Sequence, residues 1–163
     1  MNGHVLVADD EVSLRTVLGA VLRRQGYMVT TVCDGQEALE ALESETFAAL
    51  LTDLRMPKLD VMGLLRQVVR RWPDMPVIVL TAHGTVDVAV EALKVGAFDF
   101  LSKGCDNAEV AEVVGKAVAT RTMRLGQPTP IFFESTKPLS RYDSSSRPPD
   151  FLISWMWSRL FEP

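Results

Sequence analysis

HVLVADDEVSLRTVLGAVLRRQGYMVTTV, residues 4–32, holds two structural periods and a change of direction between them. The run His4–Ala8 is short, apolar and β-branched, which reads as a strand buried on both faces. It stops at Asp9, Asp10 and Glu11. From Val12 to Arg24 the apolar positions Leu14, Val17, Leu18, Val21 and Leu22 fall on one helical face. Gly26 breaks that helix, and Met28–Val32 returns to strand character. Strand, helix and strand in 29 residues make a βαβ unit, whose two strands lie parallel in one sheet.

The same alternation continues along the chain. Ala48–Leu51, Val77–Leu80 and Phe98–Ser102 read as further buried strands, and Gln36–Glu43, Leu64–Arg71, Thr85–Val95 and Asn107–Arg124 as helices. Gly35 and Gly96 punctuate element ends. Five βα units in a row imply a doubly wound α/β domain with a five-stranded parallel sheet and helices on both faces.

The chain has 163 residues, 47% hydrophobic and 23% charged, with a formal net charge of −4. That is ordinary globular composition with no basic footprint for nucleic acid. No apolar run approaches the ~20 residues of a transmembrane helix, and no secretory signal pattern opens the chain, so a cytoplasmic protein is expected. Cys33 and Cys105 have neither metal-ligand nor disulfide-framework spacing. Composition changes after about Leu125: six of the nine prolines fall in the last 38 residues, beside the Ser144–Ser146 run. Residues 1–125 are therefore expected to form the domain. Residues 126–163 read as a disordered or loosely docked tail, closed by the apolar, Trp-containing Phe151–Phe161.

The chemistry sits at the strand ends. Asp9 and Asp10 follow the first strand, Asp53 the third, Thr81 the fourth and Lys103 the fifth. In an open α/β sheet these ends converge on the crevice where ligands bind. One Asp after a strand is most often a helix cap; five such residues in one domain describe a site. Clustered carboxylates need a cation or a raised pKa, and an all-oxygen site suits Mg²⁺. With a lysine and a hydroxyl beside them, they point to phosphoryl transfer onto an aspartate.

VLVADDE (5–11), LLTDLRMPKLD (50–60), VIVLTAHG (77–84) and GAFDFLSK (96–103) resemble the signature blocks of response-regulator receiver domains. They are most similar to the receivers of sigma-54-dependent, nitrogen-regulator-type activators. The resemblance runs from residue 4 to about 122 and implies a flavodoxin-like strand order of 2-1-3-4-5. It makes Asp53 the phosphoacceptor of a two-component phosphorelay, charged by a sensor histidine kinase. Mg²⁺ would be held by Asp10, Asp53 and the backbone carbonyl of Arg55, with Asp9 completing the acidic pocket. Thr81 would hydrogen-bond the phosphoryl group, Lys103 would pair with it, and Phe100 would be the aromatic that repositions. Arg55 and His83 would lie beside the phosphoryl. A downstream protein, or a second copy in a homodimer, would read the face of helix 4, strand 5 and helix 5. The domain is expected to be a signalling module, with slight self-phosphorylation and self-dephosphorylation at most.

Two positions depart from the family pattern. Gly104 replaces the proline that usually follows the lysine in a cis peptide. A non-proline cis bond costs about 2.5–4 kcal/mol, so a trans peptide and a less firmly held Lys103 are expected. Val61 stands where a glycine usually follows the aspartate equivalent to Asp60. A β-branched residue in a turn needing positive φ would be strained, shifting the start of the third helix and weakening the switch. These departures leave open a pseudo-receiver that acts as a phosphorylation-independent interaction module. A phosphatase of the haloacid dehalogenase type also uses Asp, Thr and Lys, but needs a second Asp where this chain has Arg55. Relatives continue into ATPase and DNA-binding domains. The G-x-x-x-x-G-K-[ST] loop is absent here, so a stand-alone receiver or a truncated or frame-shifted end is expected.

Overall fold

A computed structural model describes residues 2–82 and 86–126. Residues 126–163, read as a tail, lie outside this range except for Gly126, as do His83 and Thr85. Ten elements alternate strictly: β1 His4–Ala8, α1 Val12–Arg24, β2 Met28–Val32, α2 Gly35–Ser44, β3 Ala49–Asp53, α3 Val61–Arg71, β4 Val77–Thr81, α4 Val86–Val95, β5 Asp99–Ser102 and α5 Asn107–Gly126. All strand pairs are parallel and the order is β2-β1-β3-β4-β5. The five-stranded doubly wound sheet is thus as expected from the alternation and the resemblance.

Sequence pattern and burial agree strand by strand, with one exception. β3 and β4 are buried throughout and β1 nearly so, because helices cover both of their faces. β2 is an edge strand, and its Met28 is half exposed. Val5, Val7, Leu51, Ile78, Leu80 and Leu101 pack with Leu18, Leu22, Val110, Val113 and Val114 of α1 and α5. Alternate strand positions such as Leu6, Leu50 and Val79 are equally buried and serve the opposite face. Burying such a Leu or Val contributes about 1.5–3 kcal/mol each. The strand ends are therefore carried on a rigid platform.

Two boundaries differ from the sequence reading in ways that matter. The apolar run of β3 ends at Leu51, but the strand continues through Thr52 and Asp53, whose backbones pair with Val79 and Leu80 of β4. A parallel ladder bonds backbone to backbone and is indifferent to the side chain. Asp53 is thereby fixed by the sheet itself. α3 begins at Val61, three residues before its apolar periodicity, because Asp60 caps it by accepting a hydrogen bond from Gly63 N at 2.8 Å.

The strain expected at Val61 is absent. Val61 is the first residue of α3 and 2% exposed. The left-handed residue of this loop is Lys58, at φ 69°, the one non-glycine with positive φ among the described residues. Such a conformation costs about 1–2 kcal/mol for an L-residue.

Candidate functional site

The ends of β1, β3 and β5 bring together the charged residues singled out in the sequence. Carboxylate oxygens of Asp9, Asp10 and Asp53 all lie within 4.8 Å of one another. Asp9 and Asp53 are buried, at 0% and 4% exposure, while Asp10 faces solvent. Lys103 reaches across from the end of β5. Its Nζ donates to Asp53 Oδ2 at 2.9 Å and lies 3.2 Å from Asp9 Oδ2. Lys103 is itself placed by its backbone N–H, which donates to the Thr81 carbonyl at 2.8 Å. The Lys103–Gly104 peptide is trans, as expected. The looser hold on Lys103 expected with it is not found, since two carboxylates and the β4 carbonyl fix this residue.

The charges explain the titration of the site. Burial pushes the Asp9 carboxyl above its ordinary value. The Glu11 N–H and Lys103 pull it down, and the charge of Asp53 pushes it further up. Burial pulls the Lys103 ammonium down, yet the hydrogen bonds and charges of Asp53 and Asp9 outweigh this and leave it above the usual lysine value. Two carboxylates at this spacing repel by roughly 3–4 kcal/mol at an effective dielectric of about 20. Three carboxylates against one ammonium leave an excess of two negative charges.

The donor set fits a small hard divalent cation. Asp9 Oδ1 accepts from Glu11 N at 2.8 Å, whereas the fully buried Asp9 Oδ2 faces the Lys103 ammonium at 3.2 Å without a well-aligned hydrogen bond. Buried acceptors left in this way are uncommon and expensive. Hard oxygen ligands with one exposed member suit Mg²⁺, which keeps several of its waters. Arg55 follows Asp53 by two residues on an exposed stretch of loop.

Thr81 and Phe100 occupy one face of the sheet. β4 and β5 pair Val79 with Phe100 and Thr81 with Ser102, so the threonine and the aromatic lie diagonally across neighbouring strands. Both are buried, at 4% and 2% exposure. The Thr81 hydroxyl is 3.4 Å from the Leu101 carbonyl, a long hydrogen bond. It is not bonded to Asp53 in this arrangement.

Several residues around the site carry no mark in the strand-end pattern. Arg15 of α1 donates to the Asp9 carbonyl and ties the first helix to the acidic loop. Asp34 caps α2 through Glu37 N at 2.8 Å, and Glu37 accepts from Cys33 N at 2.9 Å. The D-x-x-E spacing before an apolar run is a capping signal visible in sequence. Lys58 completes the group, with Nζ 2.7 Å from Asp34 Oδ2. The Lys58 hydrogen bond, aided by Glu37 N, holds the Asp34 carboxyl below its ordinary 3.8. A lowered folded-state value stabilises the fold above the ordinary pKa, and that stabilisation is lost as pH falls through the lowered value. Urea midpoints at pH 6 and pH 3 are expected to show a larger loss for the natural protein than for Asp34→Asn. Equal losses would mean that this carboxylate carries no such linkage.

The chain belongs to the response regulator receiver domain family, whose sequence model matches residues 5–115. Within that family it is similar to NtrC- and NtrX-type receivers of sigma-54 activators. It is 42% identical over 134 residues to the DNA-binding transcriptional regulator NtrC of Escherichia coli K12, a match covering 78% of this chain and 29% of that protein. It therefore spans under a third of that relative's length. The transcriptional regulatory protein FixJ of Bradyrhizobium diazoefficiens is 36% identical over 71% of this chain and 57% of its own. Among solved structures, the receiver domain of NtrX from Brucella abortus superposes with a TM-score of 0.69 and 30% identity, over 71% of this chain and 98% of that one. No helix among the described residues is long and apolar enough to cross a membrane.

Proposed function

We propose that this chain is a phosphoacceptor switch of a two-component phosphorelay, in which Asp53 takes a phosphoryl group from a sensor histidine kinase. The observation that carries this reading is the meeting of three carboxylates within 4.8 Å, with Lys103 Nζ 2.9 Å from one oxygen of Asp53. A carboxylate oxygen of Asp53 attacks phosphorus, the bond from phosphorus to the donor histidine nitrogen breaks, and an acyl phosphate forms. Lys103, already paired with Asp53, offsets charge on the phosphoryl oxygens. Asp10, Asp53 and the Arg55 carbonyl would hold Mg²⁺, with Asp9 as the buried third acid. When bound, the ion neutralises charge on the acids and on the incoming phosphoryl group.

The sheet then transmits the change. The Thr81 hydroxyl has only a long bond to the Leu101 carbonyl to give up. Turning toward the phosphoryl group vacates space on the face that Phe100 shares. Packing around α4, β5 and α5 shifts with it, and a downstream protein or second copy reads that face. Only a tighter interaction of the phosphoryl group with one of the two arrangements is required. The reaction belongs to a cytoplasmic signalling module, with residues 126–163 as an appendage outside the switch.

Incubation with acetyl phosphate and Mg²⁺, followed by intact-mass measurement, tests the reading. A gain of one phosphoryl group is expected, and none in Asp53→Ala. An unchanged natural protein would remove the phosphoacceptor and leave an interaction module; label retained in Asp53→Ala would move it to another residue.

A further inference from the structure

We propose that Lys58 and Asp34 form a strap that sets the position of the loop between β3 and α3, and thereby the affinity of the acidic pocket for its divalent cation. The inference rests on the reading of that pocket as a cation site. It assigns positioning roles to two residues that touch neither the pocket nor the phosphoryl group.

The loop runs from Leu54 to Asp60 and is fixed at both ends. Leu54 N donates to the Leu80 carbonyl at 3.0 Å, and Asp60 caps α3. The carbonyl of Arg55 lies between these points, on a stretch with no strand or helix ladder to hold it. The third anchor is the contact between Lys58 and Asp34, 2.7 Å long. Its two ends are unlike. The Asp34 side chain is 3% exposed and also caps α2, so it cannot move without unravelling that helix end. Lys58 is two-thirds exposed and free to leave, yet its backbone is held at φ 69°, where lysine is strained. A residue kept in such a conformation needs a contact that repays it, and the pair with Asp34 is that contact.

Close packing supports the same placement. A Cβ added to Gly35, the residue after Asp34, would lie 3.0 Å from both Leu59 Cβ and the Leu59 carbonyl. The loop therefore packs so closely against the start of α2 that a side chain at position 35 would crowd Leu59. Residues that orient metal ligands from outside commonly change metal affinity as much as weak ligands do.

Direction separates positioning from simple charge. Lys58 is a cation and Asp34 an anion. If they acted on the pocket only through Coulomb's law, losing Lys58 would strengthen cation binding and losing Asp34 would weaken it. A strap predicts that both losses weaken binding. Mn²⁺ affinity of the full chain, measured by electron paramagnetic resonance without any phosphodonor, reads this directly. Lys58→Gly, which relieves the backbone while cutting the pair, is expected to lower affinity by about tenfold. Asp34→Asn, which still caps α2, is expected to lower it too, and the double variant no further than the worse single one. Lys58→Arg keeps the pair and is expected to restore natural affinity. Urea midpoints of the same variants show that each is folded. Opposite shifts in the two single variants, or unchanged affinity in Lys58→Gly, overturn the strap while leaving the pocket intact. Natural protein that binds Mn²⁺ no better than Asp53→Ala overturns the cation site and the strap with it.

Discussion

Lys103→Met is expected to slow phosphorylation by acetyl phosphate by about 10²–10³-fold, the loss usual when one preorganised partner of a developing anion is removed. The same substitution is expected to destabilise the protein in a chelating buffer, and the physical reason is one cause acting twice. Lys103 is the ammonium seen on Asp9 and Asp53, and both acids are buried. Without it, buried carboxylates repel with no counter-charge. Breaking a buried pair from one side costs about 3–5 kcal/mol, reduced here to about 2 because Lys103 is 22% exposed and water can follow. The raised ammonium value means that its contribution is complete below the ordinary lysine pKa of 10.5 and is lost only as pH rises through the folded value. The deficit of Lys103→Met is therefore expected to be flat between about pH 6 and 9 and to shrink in acid, where the carboxylates themselves are neutralised. Added Mg²⁺ should recover part of the stability, since a cation that binds only the folded state stabilises it by mass action. Urea midpoints with and without Mg²⁺, beside an acetyl phosphate time course, check both halves. A variant as stable as the natural protein in chelator would mean that Lys103 does not neutralise these acids.

The strand ends could be found in sequence because a parallel sheet makes them simple to locate. Each apolar run stops at a polar residue, and the ends share one edge whatever the strand order. That logic joins Asp53 to Lys103 across 50 residues of chain. It says little about what happens between strand and helix, where a loop is shaped by contacts distant in sequence. Val61 shows the difference. Its β-branch signals strain only if its own φ is positive, and nothing local reveals that the left-handed residue lies at Lys58 instead. Nor does a lysine signal that conformation, since Gly and Asn are the residues that adopt it readily. The capping group of Asp34 and Glu37 is written in adjacent residues, whereas its third member is 24 positions away. The sequence places Asp53 at the end of the third strand, but the pairing of Thr52 and Asp53 within the ladder carries no apolar mark: hydrophobicity shows the buried side chains of a strand, and the ladder goes on beyond them.

Asp9→Asn is expected to make the protein more stable without metal and less able to bind it. Asp9 is wholly buried, its Oδ2 faces the Lys103 ammonium at 3.2 Å without a well-aligned hydrogen bond, and burial raises its pKa despite that partner. A raised carboxyl contributes stability below its ordinary pKa of 3.8 and loses it as pH climbs through the folded value. Above its ordinary pKa the fold therefore disfavours the ionised form of this acid, and asparagine removes the ionisable group at nearly constant shape. Because the net effect of the fold is to raise this pKa although Lys103 is near, removing the charge is expected to raise Tm in chelator by about 4 °C for each kcal/mol gained in a domain of this size. The gain should vanish below pH 3.8, where the natural side chain is protonated in both states. Mg²⁺ is expected to reverse the ranking: the natural protein gains stability with the ion, while Asp9→Asn, with one acid fewer around the pocket, gains little. Thermal melts at neutral and acid pH, each with chelator and with millimolar Mg²⁺, give the comparison. If asparagine lowered Tm in chelator at neutral pH, the Asp9 charge would be held by Lys103 more strongly than burial opposes it. The acids would then be a settled ion pair, and their excess charge could no longer be the reason the pocket attracts a cation.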